Sequence, residues 1–277
     1  MTFLRTMLAL SWGAALLLPS AGRAEEVLRV SGTGTAIGTM KHLAAAFARA
    51  NPGHRLKALP SVGSGGAFRA VAQGALDIGL SARPLKADEV TLGLVSLPYA
   101  RTPFVFATEP RAGVTDLTTA DAIRIYRGEL TRWPNGERLR LVLRPRSDAD
   151  TEILKAISPE ISAAVEAALA RPGMLLAATN QECSEMLART PGSIGLSSLT
   201  QVTTEGLAVT VLSWNGVAPT LENLASGAYP LVKTLYLVIK APASAPVRRF
   251  VAFLASREAR RILEQTGNAP LSLPPLE

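Results

Sequence analysis

A chain of 277 residues with 48% hydrophobic, 18% charged and 5% aromatic content is too apolar to stay disordered and long enough for two compact lobes, which excludes a linker or tail. The formal charge is +7, but the 29 basic residues, six Lys and 23 Arg, are scattered without a basic block. A surplus that diffuse identifies no partner, and no nucleic-acid ligand is expected.

The chain opens on a segment with the pattern of an export signal. Arg5 supplies a positive start, Met7 to Leu18 is apolar, and Ser20, Gly22 and Ala24 offer small residues for cleavage after Ala24. Residues 1–24 therefore read as a secretory signal peptide, because an apolar stretch of about 12 residues is shorter than the roughly 20 that span a bilayer. The product, about 253 residues after cleavage, is expected to be soluble and periplasmic. Cys183 is the only cysteine, so an intramolecular disulfide is impossible and no cysteine near the cleavage site can carry a lipid anchor. With Met186 and Leu187 at helical spacing, Cys183 reads as an inert buried thiol.

Short apolar runs then alternate with helical patterns. Val27 to Ser31 is a predicted strand, and Met40, Leu43, Ala44, Phe47 and Ala50 share one helix face that Asn51-Pro52-Gly53 ends. Arg55 to Pro60, Ala67 to Gln73 and Leu76 to Ser81 continue the pattern as strand, helix and strand. This β-α-β-α-β order implies a parallel sheet covered on both faces. Residues 101–108 form a further extended run, after which the pattern restarts. Thr118 to Arg127 reads as a helix, Leu139 to Leu143 as a strand, and Thr151 to Ile157 as a helix. Ile194 to Ser197 and Val209 to Leu212 read as strands, and Leu235 to Lys240 as the run that carries the chain back. Two helices close it, the first with Val247, Phe250, Val251 and Leu254 on one face, the second capped by Ser256.

Three segments follow one plan. Ser31 to Thr35, Ser61 to Gly66, and Arg144 to Thr151 each follow a strand and lead into a helix. Backbone N–H groups at a helix start lack intrahelical partners and the macrodipole is positive there, so small residues let an anion approach bare backbone while Ser and Thr hydroxyls add donors. In an open α/β sheet such loops gather at the carboxyl ends of the strands, which describes a cleft. Catalytic patterns are missing by comparison. Ser64 lacks the glycine two residues earlier that a nucleophile elbow requires, Gly32 and Gly34 are not followed by glycine at position 37, and His42 and His54 show no ligand spacing with Cys183. No enzyme activity, metal or cofactor is expected. Asp148 and Asp150 read first as acids favoured at a helix start.

Gly32-Thr33-Gly34-Thr35, Ser61 to Gly66 and Asp77 to Leu85 resemble the phosphate-binding periplasmic proteins of ABC uptake systems. The likeness continues through Leu117 to Trp133, Arg144, Thr190 to Gly195, and Ser226 to Leu231. It implies a type II periplasmic binding protein fold: two doubly wound α/β lobes with mixed sheets, joined by two hinge strands. The expected division is 25–104 and 235–277 for one lobe and 105–234 for the other. The resemblance also implies capture of a small oxyanion, phosphate first, by a monomer that delivers it to a membrane ABC permease. Thr33, Thr35, Ser64, Ser81 and Arg144 are the ligand contacts it carries over, with Asp148 and Thr151 completing the expected set from the second lobe.

Two departures stand out. Phosphate-specific members carry an aspartate after the position of Ser81, where this chain has Ala82, and the family's S-G-T after the arginine is replaced by Asp148-Ala149-Asp150-Thr151. The lost aspartate accepts the proton of hydrogen phosphate, so Asp148 or Asp150 is expected to supply that acceptor from the other lobe. The alternatives are another oxyanion or an organic phosphate, or a periplasmic sensor or interaction protein on the same fold.

Overall fold

The computed structural model describes residues 25–274 and residue 276; the expected signal peptide lies outside the described residues. In chain order the first part contains β1 (Glu26–Gly32), α1 (Gly34–Ala50), β2 (His54–Ala58), α2 (Gly63–Ala72), β3 (Ile78–Ser81), α3 (Ala87–Val90) and β4 (Leu94–Thr108). Next come β5 (Asp116–Leu117), α4 (Thr119–Arg127), β6 (Arg140–Leu143), α5 (Ala149–Lys155), α6 (Pro159–Ala170), β7 (Leu175–Leu176) and α7 (Asn180–Arg189). They are followed by β8 (Ser193–Ser198), α8 (Leu199–Glu205), β9 (Thr210–Val211), β10 (Ser213–Trp214) and α9 (Leu221–Ser226). The chain returns through β11 (Val232–Lys240) and ends with α10 (Ala245–Leu254), α11 (Arg257–Gln265) and β12 (Ala269–Pro270).

The principal strands form one ladder in the order β2-β1-β3-β11-β4-β8-β6-β7. β1 pairs in parallel with β2 and β3, as the β-α-β-α-β pattern predicts, but β11 enters antiparallel to both β3 and β4. In the other half β6 is parallel to β7 and β8, and β8 is antiparallel to β4. Each half therefore has a mixed sheet. β4 serves both: residues from Leu94 to Pro103 pair with β11, and Phe104 to Thr108 pair with β8.

Two main cores follow from this arrangement, with two smaller clusters around Phe68 and Cys183. Val30, Phe47, Ile78, Leu80, Leu237 and Phe250 belong to the first, where the Phe47 and Phe250 rings meet edge to face at 5.3 Å. Phe104, Phe106, Leu141, Leu196, Trp214 and Tyr229 belong to the second, where Phe106 stacks on Trp214 at 5.4 Å. Burying aromatic rings of this size is the dominant favourable contribution on each side.

Several boundaries differ from the sequence reading, each for a local reason. α2 starts at Gly63 rather than Ala67, so the glycines after Val62 form its first turn and not a free-standing loop. β4 begins at Leu94, earlier than 101, despite Pro98. That proline sits beside a register irregularity between Leu235 and Tyr236, where a missing N–H costs no ladder bond. β11 begins at Val232 rather than Leu235, which places Lys233 inside a buried strand. At the end of β1, a Cβ on Gly32 would collide with the Leu80 carbonyl, so only glycine lets β1 and β3 close together there. No helix among the described residues is long and apolar enough to cross a membrane.

Candidate functional site

The β1–α1 junction presents two buried hydroxyls. Thr33 precedes α1, its backbone N–H is anchored to the Leu80 carbonyl at 2.9 Å, and its hydroxyl is not used to cap the helix. Thr35 lies in the first turn and is also buried. The next segment is tied to this one, since Ser61 Oγ and the Val62 N–H both donate to the Gly32 carbonyl, at 2.7 and 3.2 Å. Ser64 Oγ accepts the Ala82 N–H at 3.1 Å, joining the start of α2 to the end of β3. Ser81 turns back on its own loop, donating to the Arg83 carbonyl at 2.6 Å and accepting the Arg83 N–H at 3.1 Å. Thr33, Thr35, Ser64 and Ser81 thus gather where β1 and β3 end.

Across from them, Arg144 follows β6 and is buried. Its guanidinium donates through Nη2 and Nε to Asp148 Oδ2 and Oδ1, at 2.8 and 3.2 Å, and through Nη1 to the Ala177 carbonyl at 2.7 Å. Asp148 caps α5 by accepting the Asp150 N–H at 3.0 Å. Burial pushes its carboxyl above the usual range, the Asp150 charge adds to this, and Arg144 works in the opposite direction. Thr151 Oγ1 donates to the Arg144 carbonyl at 3.2 Å. Arg144, Asp148 and Thr151 therefore form one packed unit whose polar groups largely satisfy one another.

The two sides meet through residues outside the expected set. Lys233, opposite Thr102 in the β11–β4 register, is completely buried, and its Nζ lies 2.5 Å from Asp150 Oδ1. The same ammonium donates to Thr35 Oγ1 at 3.3 Å and lies 4.9 Å from the centre of the Phe104 ring. Asp150 Oδ2 accepts from Asn180 Nδ2 at 2.9 Å, and Asn180 Oδ1 is 3.5 Å from the Thr33 hydroxyl. A buried ammonium or carboxylate is costly unless paired and hydrogen-bonded, so these bonds are what allow both charges inside. Thr35, Lys233, Asp150, Asn180 and Thr33 together link the starts of α1, α5 and α7 to β11. A groove of about 740 Å³, lined by residues including Lys41, His42, Ser61, Gln181 and Glu205, opens beside this arrangement between α1 and the α7–α8 segment.

Chemically, a carboxamide and an ammonium already hold one anionic oxygen pair, the Asp150 carboxylate, and each of these two groups also touches a hydroxyl, Thr33 on Asn180 and Thr35 on Lys233. Sequence reasoning weighed Asp150 only as a helix-start acid or proton acceptor and passed over Lys233 and Asn180. One signal was available for Lys233: a single lysine interrupts the apolar run from Leu231 to Ile239 at a position whose strand neighbours face the interior. Cys183 is buried as expected, its thiol pushed up to about 12 by burial. Among the described residues no cluster of three or more His, Cys, Asp or Glu side chains has a metal-binding arrangement.

Two mixed α/β halves that share long crossing strands, with helix starts converging between them, define the type II periplasmic binding protein fold. The model of the PBP superfamily domain matches residues 19–258, and the chain belongs to that superfamily. It is 26% identical over 259 residues to the phosphate-binding protein PstS of Bacillus subtilis, covering 90% of this chain and 82% of that one. It is also 26% identical over 216 residues to PstS of Borreliella burgdorferi, covering 75% of each. Among solved structures, a putative phosphate ABC transporter substrate-binding protein from Clostridium perfringens, with bound phosphate, superposes with a TM-score of 0.76 at 20% identity, over 89% of this chain and 100% of that chain. An ABC-type phosphate transport receptor from Vibrio cholerae gives 0.61 at 20% identity, over 88% and 99%.

Proposed function

We propose that this protein is the periplasmic solute-binding component of an ABC uptake system and that it captures inorganic phosphate between its two lobes. The observation that carries the reading is the hold of Lys233 and Asn180 on the Asp150 carboxylate, with the Thr35 hydroxyl on that same ammonium and the Thr33 hydroxyl on that same carboxamide. Donors that hold a buried carboxylate suit a tetrahedral oxyanion equally well, because both present oxygens that accept charge-assisted hydrogen bonds. The PstS relatives and the phosphate-bound Clostridium perfringens structure support phosphate as the anion.

In this reading the lobes comprise residues 25–104 with 235–277, and 105–234. β4 and β11 connect them, and Lys233 lies where the chain crosses from one to the other. The protein works as a monomer and without catalysis. The ligand favours the closed arrangement by touching both lobes at once, and the closed form is what the permease receives. Calorimetric titration of ligand-stripped protein with phosphate, sulfate, molybdate and phosphonates tests this. Phosphate is expected to bind best, and equal or absent phosphate binding would refute the assignment. The replacement of the family's aspartate by Ala82 favours one second reading, another oxyanion or an organic phosphate as ligand, which the same titration distinguishes.

A further inference from the structure

Among the described residues two cations are buried, Arg144 and Lys233. Each nitrogen of the Arg144 guanidinium already donates to Asp148 or to the Ala177 carbonyl. Lys233 is the buried cation in contact with the start of α1, through Thr35, and it is neutralised by Asp150 at 2.5 Å. Asp150 reaches it from the start of α5, while Thr35 on the same ammonium comes from the start of α1. The bond between Asp150 and Asn180 joins α5 to α7, whereas the bond between Asp150 and Lys233 joins α5 to β11. Only the second engages the ammonium that also touches Thr35 at the start of α1, so it is the bond that an anion reaching that ammonium would replace.

We propose that Asp150 is a tethered counter-anion: in the ligand-free protein it occupies the place on Lys233 that phosphate takes, and ligand binding exchanges one for the other. This inference rests on the phosphate reading above. Before ligand arrives, the two buried pairs, Arg144 with Asp148 and Lys233 with Asp150, leave the site with no net charge. An oxyanion must then displace a carboxylate already held by the Lys233 ammonium. Asp150 thereby lowers affinity for every oxyanion alike, and it also spares Lys233 from being buried without a partner. A carboxylate that instead accepted the ligand's proton would help hydrogen phosphate and penalise sulfate. The two roles make opposite predictions for phosphate when the charge is removed.

The test is calorimetry on Asp150→Asn, which keeps the shape and one acceptor oxygen but removes the charge. Phosphate and sulfate should both bind more tightly than to wild type, by about tenfold or more, as expected for relieving one charge-assisted bond. Weaker phosphate binding, or unchanged affinity for both anions, overturns the inference. Should Asp150→Asn not fold, two other measurements decide. The double variant Asp150→Asn with Lys233→Gln removes both buried charges, and it should lose phosphate affinity by at least about tenfold. Wild-type affinity in that variant overturns the inference. A crystal structure of the wild-type phosphate complex should place Lys233 Nζ on a phosphate oxygen with Asp150 out of hydrogen-bond reach of it, and an intact Asp150–Lys233 bond beside bound phosphate also overturns it. A wild-type protein that binds no oxyanion refutes the phosphate reading itself, a result separate from any behaviour of the variants.

Discussion

Arg144 and Asp148 hold each other across the four-residue step from the end of β6 to the cap of α5 through two hydrogen bonds, at 2.8 and 3.2 Å, with 2% of the arginine side chain exposed. The sequence reading makes Arg144 an anchor for the ligand; its geometry makes it first an anchor for α5. Arg144→Ala leaves the partly buried Asp148 carboxylate without its partner, and breaking a fully buried pair costs about 3 to 5 kcal/mol, an upper bound for this one. The variant should unfold at markedly lower urea concentration than wild type. Arg144→Ala combined with Asp148→Ala should be less destabilised than the sum of the single changes, because the pair's energy is shared. Additive losses would show that the two side chains act independently.

Gly34 carries a second prediction. Gln181 Nε2 donates to the Gly34 carbonyl at 3.2 Å and to Glu205 at 3.0 Å. A Cβ on Gly34 would lie 2.9 Å from Asn180 Cβ and against the Gln181 amide. Gly34→Ala has to push α7 away from α1, and with it Asn180 from Thr33. Phosphate affinity should fall by about tenfold, equivalent to about 1.4 kcal/mol, while thermal stability stays close to wild type. Unchanged affinity would mean that this close approach does not matter for binding.

A third prediction concerns acid. Arg83 forms a two-bond ion pair with Glu89, both at 2.7 Å, and stacks over Phe68 at 4.6 Å. The bond from Arg83 is the main cause holding the Glu89 carboxyl below its ordinary value, against desolvation. A carboxyl with a lowered native pKa contributes stability that is present above its unfolded value of 4.5 and is lost as pH falls through the native value. Urea unfolding midpoints of wild type should therefore drop on acidification, and the drop should be smaller in Glu89→Gln, which lacks the titrating group. Equal drops in both proteins would remove Glu89 from the acid response.

Much of the fold was legible because periodicity and capping are local. The face of α1 through Met40, Leu43 and Phe47, its stop at Asn51-Pro52-Gly53, and the Ser256 cap of α11 can be read without knowing what lies opposite. What sequence periodicity does not carry is the partner of a buried charge. Lys233 in β11 and Asp150 in α5 are separated by 83 positions, and nothing local to either one points to the other. Only the antiparallel return of β11 beside β4 brings them together. The same holds for Asn180, whose place at the start of α7 is predictable but whose contacts with Asp150 and Thr33 are not. The resemblance through Thr33, Thr35 and Ser64 singles out hydroxyls at the ends of β1 and β3, and Ala82 directs attention to Asp148 and Asp150, which pair with Arg144 and Lys233.

The central claim is that an oxyanion binds between the lobes on Lys233 and the hydroxyls of Thr33 and Thr35. Its most direct test is calorimetric titration of phosphate into ligand-stripped wild-type protein, with Lys233→Gln measured in parallel. The account predicts saturable binding of one phosphate per chain, micromolar or tighter, worth about 8 kcal/mol or more, and its loss in a folded Lys233→Gln. Phosphate binding that survives in that variant at wild-type affinity, or no phosphate binding to wild type, would contradict it.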